Sequence, residues 1–307
     1  MSQPSNSSVH VPVLLHEVIE GLSRAHVAGR PYVYVDGTLG GAGHAREFAA
    51  SRKGNLVIIG CDRDPQAVVR AQSTLAGQAT QLILEQANSR DIDKVLDTHG
   101  IQQVDGILLD LGISSDELDI SGKGFSFQRD EPLLMTMGDP ATYAFTAKDI
   151  VNTWEEETIA DVIFGYGEER YARRIARTIV NYRQKKPIET TAELSEIIRM
   201  SVPPVYRRGK IHPATRTFQA LRIAVNDELG ALKDVLKRGF ERLAPGGILA
   251  IISFHSLEDR IVKDFNKEKF AAGQAAILTK KPTTATPEEI QKNPRSRSAK
   301  LRILQKI

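Results

Sequence analysis

The chain reads Tyr32-Val33-Tyr34-Val35-Asp36-Gly37-Thr38-Leu39-Gly40-Gly41-Ala42-Gly43-His44 where its first apolar run meets a glycine-rich turn. A helical pattern follows the turn, so this order predicts a strand, a tight loop and a helix. Glycine lets the backbone bend sharply and approach a ligand without a Cβ in the way. In a parallel sheet, such a turn lies at the carboxyl end of its strand, where ligands bind. The stretch therefore predicts the ligand-binding loop of an α/β fold.

Other apolar runs along the chain have the same character. They are apolar at every position rather than at alternate positions, which is typical of parallel strands covered on both faces. Asp64 and Pro65 predict the cap and the first residue of a helix after the second run. Repeated strand–helix units favour a doubly wound α/β sheet. We expect strands at Tyr32–Asp36, Leu56–Cys61, Leu82–Glu85, Val104–Leu109 and Ile248–Ile252, and a closing pair at Ala276–Thr279 and Leu301–Leu304.

The strand pattern is interrupted between residues 113 and 212, where the chain reads as loops and helices. The clearest helix there spans Glu168–Tyr182, with an apolar stripe on one side and arginines on the other. A later segment, Lys280–Ala299, is rich in Pro, Thr, Ser and charge, and we expect a mobile loop. The sequence therefore predicts a discontinuous α/β domain at 1–112 and 213–307, with an inserted helical domain at 113–212.

Composition excludes several classes of protein. The chain has 307 residues, of which 41% are hydrophobic, so it can bury a core without a stabilising metal or disulfide. Its one cysteine, Cys61, excludes an intramolecular disulfide and a multi-cysteine zinc cluster, and we expect no metal. The amino end lacks an apolar signal core, and no apolar stretch approaches the roughly 20 residues of a membrane helix. We expect a soluble cytoplasmic protein without membrane contact.

Positive charge is concentrated in two blocks, although 41 Lys and Arg against 38 acids leave a net charge of only +3. Residues 205–222 and 291–307 each carry several cations and no acid. Such blocks suit a phosphate backbone, because each neutralised phosphate releases a counterion. The alternative is a solvated loop and a solvated tail. The two blocks together favour an anionic polymer as partner.

Asp62 ends the second predicted strand and points to a nucleoside cofactor. A carboxylate at that position accepts hydrogen bonds from both ribose hydroxyls. A dinucleotide also needs the full glycine fingerprint, but here Arg46 stands where a small residue is required. S-adenosylmethionine carries no phosphate and needs only the close approach of the backbone. These residues favour S-adenosylmethionine over NAD and hence a methyltransferase over an oxidoreductase.

Ordered motifs run along the whole chain. They are His10–Leu15, Asp36–Thr38 with Gly43 and His44, Asp62–Pro65, Gly106–Ser115, Gly124–Phe127, Tyr166–Arg170, His212–Ala220 and Ile252–Arg260. In these motifs the chain resembles the bacterial 16S rRNA (cytosine-N4) methyltransferases, the MraW-type small-subunit rRNA methyltransferases. Leu243–Gly247 is similar to a turn of class I methyltransferases. Ala42 departs from the family, which often has glycine there.

The resemblance implies a fold, a reaction and a set of contacts. The fold is that of a class I S-adenosylmethionine methyltransferase, a Rossmann-like doubly wound sheet, with an inserted all-α domain that binds RNA. The reaction is methylation of the N4 amine of a cytidine in 16S rRNA, near the decoding region of the small subunit. The implied cofactor contacts are Ala42, Gly43, His44, Asp62, Asn88, Asp110 and Glu117. For His44, a purely structural ring packed on the turn is the alternative.

Three residues are candidates for the chemistry. Asp110 ends the fourth predicted strand and is the first candidate to accept a hydrogen from N4. Ser253 and His255 follow the fifth strand and either line the same pocket or serve as a helix cap and a structural histidine. Methylation at C5 of the ring would instead need a cysteine nucleophile. Cys61 lies inside a strand, so that reaction is disfavoured.

The RNA contacts are expected in the inserted domain, because a target base must leave its stack to reach the cofactor. Phe125 and Phe127 are candidates to stack on the base, although packing on the core is the favoured role of Phe127. Candidate phosphate contacts are Arg170, Arg174, His212 and Arg216. The alternative for the arginines is that they form only the solvent-exposed face of a helix.

Two rival functions remain. An RNA-binding assembly factor with a vestigial site is disfavoured, because Gly43, Asp62 and Asp110 are all present. A DNA amino-methyltransferase is disfavoured because Leu111–Ser115 replaces the Pro-Pro-aromatic segment that such enzymes carry after the fourth strand. The sequence leaves open which cytidine is modified, whether free RNA or the assembled subunit is the substrate, and whether the chain forms a homodimer.

Overall fold

The fold is taken from a computed structural model that describes residues 12–25, 29–53, 55–113, 118 and 121–307. The chain divides into two compact units, one formed by residues 1–112 and 230–307 and the other by residues 113–229. No helix in the described ranges combines the length and the apolarity that crossing a membrane requires.

One mixed sheet of eight strands forms the first unit within those ranges. Its order is β3-β2-β1-β4-β5-β8-β6, with β7 paired to β8, and β1 to β5 run parallel while β8 is antiparallel to β5 and β6. This topology confirms the predicted α/β class I methyltransferase fold. The strands are β1 Tyr32–Asp36, β2 Leu56–Asp62, β3 Gln81–Gln86, β4 Val104–Asp110, β5 Leu243–Ser253, β6 Ala275–Ile277, β7 Thr283–Thr284 and β8 Lys300–Lys306.

Helices cover both faces of the sheet and build the second unit. The cap and proline expected for α3 are present, since the Asp64 carboxylate accepts from the Gln66 N–H and Pro65 is the first helical residue. The helices are α1 Leu15–Leu22, α2 Gly43–Arg52, α3 Pro65–Leu75, α4 Ile92–Thr98, α5 Ala147–Thr153, α6 Glu156–Gly167, α7 Ala172–Arg183, α8 Thr191–Ser201, α9 Pro204–Arg207, α10 Thr215–Asn226, α11 Glu228–Arg242, α12 Ser256–Ala271 and α13 Pro287–Lys292.

Apolar side chains from both faces of the sheet explain why the strands are apolar throughout. Tyr32, Tyr34 and Phe48 pack together on one face, and the Phe48 ring lies 5.3 Å from Tyr32 and 5.0 Å from Tyr34 between centroids. Ile59 and Leu236 belong to a separate buried cluster. A strand that is buried on both faces has no room for alternation, so every position is apolar.

The prediction of a mobile loop at Lys280–Ala299 is wrong. The segment contains β7, α13 and a 3-10 turn at Pro294–Ser298. Thr286 caps α13 by accepting from the Glu289 N–H, and Pro287 fixes its first residue. The Glu289 carboxylate accepts from the Leu14 N–H at 2.8 Å, a contact across 275 positions of the chain that composition cannot reveal.

The basic block at 291–307 has a larger structural part than its charge suggests. The Arg302 and Lys300 side chains pair with Asp259, at 2.7 and 3.4 Å. Lys306 Nζ donates to the carbonyls of Phe240, Glu241 and Leu243, where α11 ends. A cation at a helix carboxyl end satisfies carbonyl groups that have no partner within the helix. Three of the six cations of this block therefore stabilise the fold.

The second unit is a helical bundle with one apolar core. Ile175 and Ile179 of α7 are fully buried in it, whereas Arg173, Arg174 and Arg177 lie on the exposed side. The predicted amphipathic helix is therefore present, but it begins at Ala172 rather than Glu168. Glu168 instead ends α6 with a φ of 49°, a left-handed conformation that stops the helix.

The carboxyl end of the inserted segment differs from the sequence-based boundary at 212/213. The structure assigns residues 113–229 to the second unit, so α10 belongs to it. Close packing of α10 against α6 is the reason, because a Cβ built on Gly167 would lie 2.6 Å from the Arg216 carbonyl oxygen. The sequence placed α10 with the sheet because its apolar spacing continues into α11.

A pair of glycines on α6 tests this packing. Gly167→Ala is expected to lower the free energy of unfolding by about 1–3 kcal/mol, because the new methyl group meets backbone. Gly165→Ala is the matched control, since a Cβ there meets nothing within 4 Å. It should be neutral or stabilising by up to about 1 kcal/mol, because alanine favours helix. Urea titrations measure both, and equal effects would contradict the assigned contact.

Candidate active site

Three aspartates end three adjacent parallel strands of the first unit. Asp62 ends β2, Asp36 ends β1 and Asp110 ends β4, in that spatial order. The chain order reverses between β1 and β4, and a crevice opens at such a point, beyond the carboxyl ends of the strands. The glycine-rich turn leads from β1 into α2 at the same edge. This edge is the candidate ligand site.

Asp62 holds the glycine-rich turn against the end of β2. Its Oδ2 accepts from the Gly40 N–H at 2.8 Å, and its Oδ1 accepts from the Asp64 N–H at 2.9 Å. Burial raises the pKa of Asp62, while these two donors act in the opposite direction. Each carboxylate oxygen has a second lone pair. Asp62 can therefore accept from ribose hydroxyls without releasing the turn.

The first turn of α2 offers backbone donors to a ligand. Ala42 precedes the helix with a φ of 58°, and no side chain caps this helix end within the described part of the chain. The first N–H groups of a helix have no partner inside the helix. Glycine would adopt this left-handed conformation freely, and alanine adopts it at the cost of some strain. Gly43 follows, and a Cβ there would lie 2.6 Å from Pro12.

The ring of His44 is buried beneath this turn. Its Nε2 lies 2.9 Å from the Val13 carbonyl oxygen, and its Nδ1 lies 3.6 Å from Asp110 Oδ2. Burial lowers the pKa of His44. The ring thus lies between Val13 and the end of β4. This role of the ring is separate from the implied contact of the His44 backbone N–H with a cofactor.

Asp110 has an acceptor atom that nothing in the described ranges uses. Its Oδ1 is buried and without a hydrogen-bond partner there, and its own N–H donates to Thr38 Oγ1 at 2.6 Å. Burial, together with the charge of Glu258, raises the pKa of Asp110 to about 7. A buried acceptor without a partner is costly. Such an atom at a strand end is what a ligand donor would satisfy.

Asp36 lies between the other two aspartates. It accepts from the Tyr34 hydroxyl at 3.1 Å and from the Thr38 N–H at 3.2 Å. Burial raises the pKa of Asp36 to about 6. Thr38 therefore links the ends of β1 and β4, because its N–H donates to the Asp36 carboxylate and its hydroxyl accepts from the Asp110 backbone N–H.

Asn88 lies just beyond β3 on the far side of Asp62. Its Oδ1 accepts from the Arg90 N–H and starts a short 3-10 turn at Ser89–Asp91. It also lines a cavity of about 440 Å³ at the outer edge of the sheet, together with residues of α4. Its amide nitrogen donates to no group in the part of the chain that the structure describes, so it can donate to a ligand acceptor. Glu117, the other expected cofactor contact, lies outside the described residues, as do Ser114 and Ser115.

Ser253 and His255 have structural roles, which corrects their predicted place in the catalytic pocket. Ser253 is 1% exposed, and its hydroxyl donates to the Lys300 carbonyl at 3.4 Å. His255 Nδ1 accepts from the Glu258 N–H, and the Glu258 carboxylate accepts from the N–H groups of Phe254 and His255. This reciprocal arrangement is a capping box that starts α12.

The two candidate stacking rings of the second unit differ in exposure. Phe125 is 6% exposed and belongs to the apolar core, so its prediction as a base-stacking ring is wrong for this structure. Phe127 is half-buried; it stacks on His212 at 4.5 Å and meets Phe218 edge-on at 5.3 Å. Phe127 thus packs on its neighbours, which is the role that the sequence analysis favoured. The His212 ring that stacks on it is exposed.

The candidate arginines also separate into two groups. Arg216 Nη1 donates to the Glu168 carbonyl at 3.0 Å, where α6 ends, so part of its guanidinium has a structural role and its RNA contact stays a prediction. The Arg170 guanidinium lies 4.9 Å and 5.1 Å from the ring centroids of Tyr171 and Tyr206. Arg174 lies exposed on α7. Further exposed cations are Arg173, Arg208 and Lys210.

A family model for the MraW methylase family matches residues 7–307. The chain belongs to this family. A ribosomal RNA small subunit methyltransferase H of Deinococcus deserti is 49% identical over 99% of this chain and 95% of the relative. Proteins with the same name from Deinococcus radiodurans and Heliobacterium modesticaldum are 50% and 46% identical, over 96% and 97% of this chain and 88% and 98% of the relatives. The family resemblance inferred from the motifs is thereby confirmed.

Within this MraW-family chain, the structure adds residues that sequence reasoning missed. Thr38 donates to the Asp36 carboxylate and accepts from the Asp110 backbone N–H. Burial and the charge of Glu258 raise the pKa of Asp110. The capping box could have been predicted from the sequence, because Glu258 follows His255 by three residues. Nothing in the sequence alone indicates that Asp36 is buried beside Asp110.

Cys61 is unsuited to nucleophilic catalysis. It is fully buried, and burial raises the pKa of its thiol to about 12. A cysteine nucleophile acts as a thiolate and needs the opposite shift. This agrees with the view that C5 methylation is disfavoured for this member of the family.

Asp110→Asn tests the buried carboxyl group by its effect on stability. Folded Asp110 holds its proton more tightly than the unfolded chain does, so the folded state loses stability as pH rises from about 4 to about 7. Asparagine avoids this penalty. At pH 8 we expect the variant to gain about 2–4 kcal/mol in the free energy of unfolding, and much less at pH 5.

The control for this variant is Asp264→Asn, at an exposed position on α12. It should show little pH dependence relative to the parent chain. Urea unfolding at the two pH values measures both variants. A gain for Asp110→Asn that is the same at pH 5 and pH 8 would contradict the raised pKa.

Proposed function

We propose that this chain transfers a methyl group from S-adenosylmethionine to the exocyclic N4 amine of a cytidine in 16S rRNA, near the decoding region of the small subunit. Membership of the MraW family over residues 7–307 supports the reaction class. The relatives' name, ribosomal RNA small subunit methyltransferase H, supports the substrate class. The observation that carries the proposal is the unpartnered Asp110 Oδ1 beside a turn held by Asp62.

The residues at the strand ends fit the cofactor. Asp62 would accept from the ribose hydroxyls, and Asn88 would contact the adenine. The N–H groups of Gly43 and His44 would meet the amino-acid end, because a helix amino end favours a carboxylate. Glu117 and Ala42 complete the proposed set. When bound, the cofactor supplies an electrophilic methyl group on a sulfonium.

The chain contributes mainly position and a proton acceptor. The N4 lone pair is delocalised into the pyrimidine ring, so the amine reacts only when it is held in line with the methyl group. Asp110 Oδ1 would accept an N4 hydrogen and increase the electron density on the nitrogen. A pKa near 7 suits an acceptor that must bind and release a proton at neutral pH.

The helical unit is proposed to hold the RNA. Arg173 and Arg174 of α7 present positive charge on an exposed face, and Arg170 adds to it. His212 and Phe127 offer a stacked pair of rings at the surface for an extruded base. The proposed substrate resides in the cytoplasm, which accords with the expected location.

Mapping the modified nucleoside tests the proposed function. The protein is incubated with isotope-labelled S-adenosylmethionine and small ribosomal subunits that lack the modification, and the digested RNA is analysed by mass spectrometry. We expect label in N4-methylcytidine. Label in 5-methylcytidine would contradict the proposal, and RNA binding without any transfer would favour the assembly-factor alternative.

Neighbouring carboxylates provide a test of cofactor binding. Asp62→Ala is expected to weaken S-adenosylmethionine binding at least about 100-fold, because it loses both the ribose acceptor and the tie to Gly40. Asp64→Ala is the matched control, since the Asp64 side chain caps α3 and pairs with Arg70, and the backbone N–H that donates to Asp62 remains in the variant. It should cost about 1 kcal/mol of stability and leave affinity within about threefold. Calorimetry that found equal affinities for the two variants would exclude Asp62 from the site.

A further inference from the structure

The tautomer of His44 follows from its contact with Val13. A carbonyl oxygen only accepts hydrogen bonds, so Nε2, at 2.9 Å, must carry the proton it donates. In the neutral ring, Nδ1 then has a free lone pair. The lowered pKa of His44, which burial causes, keeps the ring neutral near pH 7. His44 therefore presents a proton acceptor, rather than a donor, to its neighbours.

That acceptor faces Asp110 Oδ2 at 3.6 Å. If both groups were without a proton, two lone pairs would face each other across a buried gap. A proton on Oδ2 removes this repulsion and lies between the two atoms. The distance exceeds that of a hydrogen bond, but such contacts commonly shorten when a substrate binds.

The groups around the pair are acidic. The charge of Asp36 of β1 acts on His44, the charge of Asp110 acts on Asp36, and Tyr34 donates to Asp36. Glu258 of α12 acts on Asp110, and Glu289 of α13 acts on His44. Negative charge from several elements favours retention of a proton by the pair. The same charges would stabilise an imidazolium formed during a reaction.

We propose that His44 is a positioning residue that lets Asp110 carry protons on both of its oxygens, an inference that rests on the proposed function. Asp110 Oδ2 gives its proton to His44 Nδ1 while Asp110 Oδ1 receives the proton from the substrate amine. The geometry assigns one oxygen to each task, because Oδ2 faces the ring and Oδ1 has no partner in the described ranges. The carboxyl group does not have to rotate between the two tasks, but the 3.6 Å gap between Oδ2 and Nδ1 has to shorten before the proton passes.

The step balances in atoms and charge. N4 forms a bond to the methyl carbon, and the electron pair of the sulfur–methyl bond returns to sulfur. The N4–H bond pair returns to nitrogen as its proton passes to Asp110 Oδ1. The proton that was on Oδ2 moves to His44 Nδ1. The positive charge lost by the sulfonium is then carried by the imidazolium, which later releases the proton to water.

His44→Gln separates this role from packing. The amide nitrogen of glutamine can occupy the position of Nε2 and keep the donation to Val13, but nothing replaces Nδ1. We expect the single-turnover rate of methyl transfer to fall roughly tenfold. The midpoint of the alkaline limb of the rate–pH profile should shift to lower pH, because the working, protonated form of Asp110 loses its acceptor. Affinity for S-adenosylmethionine should stay within about twofold, because the backbone N–H of residue 44 remains.

His16→Gln, at an exposed position on α1, is the control. It should change neither the rate of methyl transfer, nor the midpoint, nor the affinity for S-adenosylmethionine.

A slower variant with an unshifted midpoint would overturn the proposal, because lost packing alone slows the reaction without moving a titration. An unchanged rate would overturn it as well. These outcomes are distinct from failure of the proposed function, in which the parent chain itself transfers no methyl group to N4.

A spectroscopic measurement tests the pair without any turnover. In protein labelled with 15N-histidine, the His44 Nδ1 resonance should change between about pH 6 and pH 8, the range in which Asp110 titrates. Asp110→Asn should abolish the change. A change that persists in this variant would show that the ring does not sense Asp110, and the proposal would be wrong even if His44→Gln failed to fold.

Discussion

Buried and partly buried carboxyl groups at the ends of adjacent parallel strands are the constraint on which the site depends. Asp62, Asp36 and Asp110 end three neighbouring strands, where a sheet of this kind collects its ligands. A buried carboxyl group is unfavourable unless donors surround it or it keeps its proton. The molecule uses both means: backbone N–H groups meet Asp62, and raised pKa values mark Asp36 and Asp110.

Satisfying these groups also fixes the shape of the ligand loop. The bonds from Gly40 and Thr38 to Asp62 and Asp36 hold the turn that starts α2, so the helix amino end is fixed by the acids it adjoins. One acceptor, Asp110 Oδ1, remains without a partner in the described ranges. Real proteins break a local rule mainly where function requires it, and the cost in stability at neutral pH is consistent with a working group.

Much of the first unit could be predicted from the sequence, because strands buried on both faces leave a simple signature. The runs at Tyr32, Leu56 and Val104 each became a strand within one or two residues of the expected bounds. The segment at Lys280–Ala299 could not be predicted, because its order depends on the distant bond from Leu14 to Glu289. The composition of a segment describes its average polarity and contains no information on a hydrogen-bond partner 275 positions away in the chain.

The residues at the strand ends of the site could be predicted from the sequence, but the groups that contact them could not. Glycines, Asp62 and Asp110 have positions along the chain that reveal their place at strand ends. The partners of a charge depend on tertiary structure: Arg216 and Lys306 satisfy helix carbonyls, and His255 caps a helix. Likewise, the motif containing Phe125 does not reveal that its ring is buried. Residue type showed which chemistry is available, and only the packing showed which groups are already engaged.

A crystal structure of the protein grown with S-adenosylmethionine measures the central claim most directly, because it locates the ligand relative to the three strand ends. The account predicts density for the ribose against the Asp62 carboxylate, with the methyl group directed towards Asp110 Oδ1. Density at another edge of the sheet, or an ordered cofactor whose ribose makes no contact with Asp62, would contradict it.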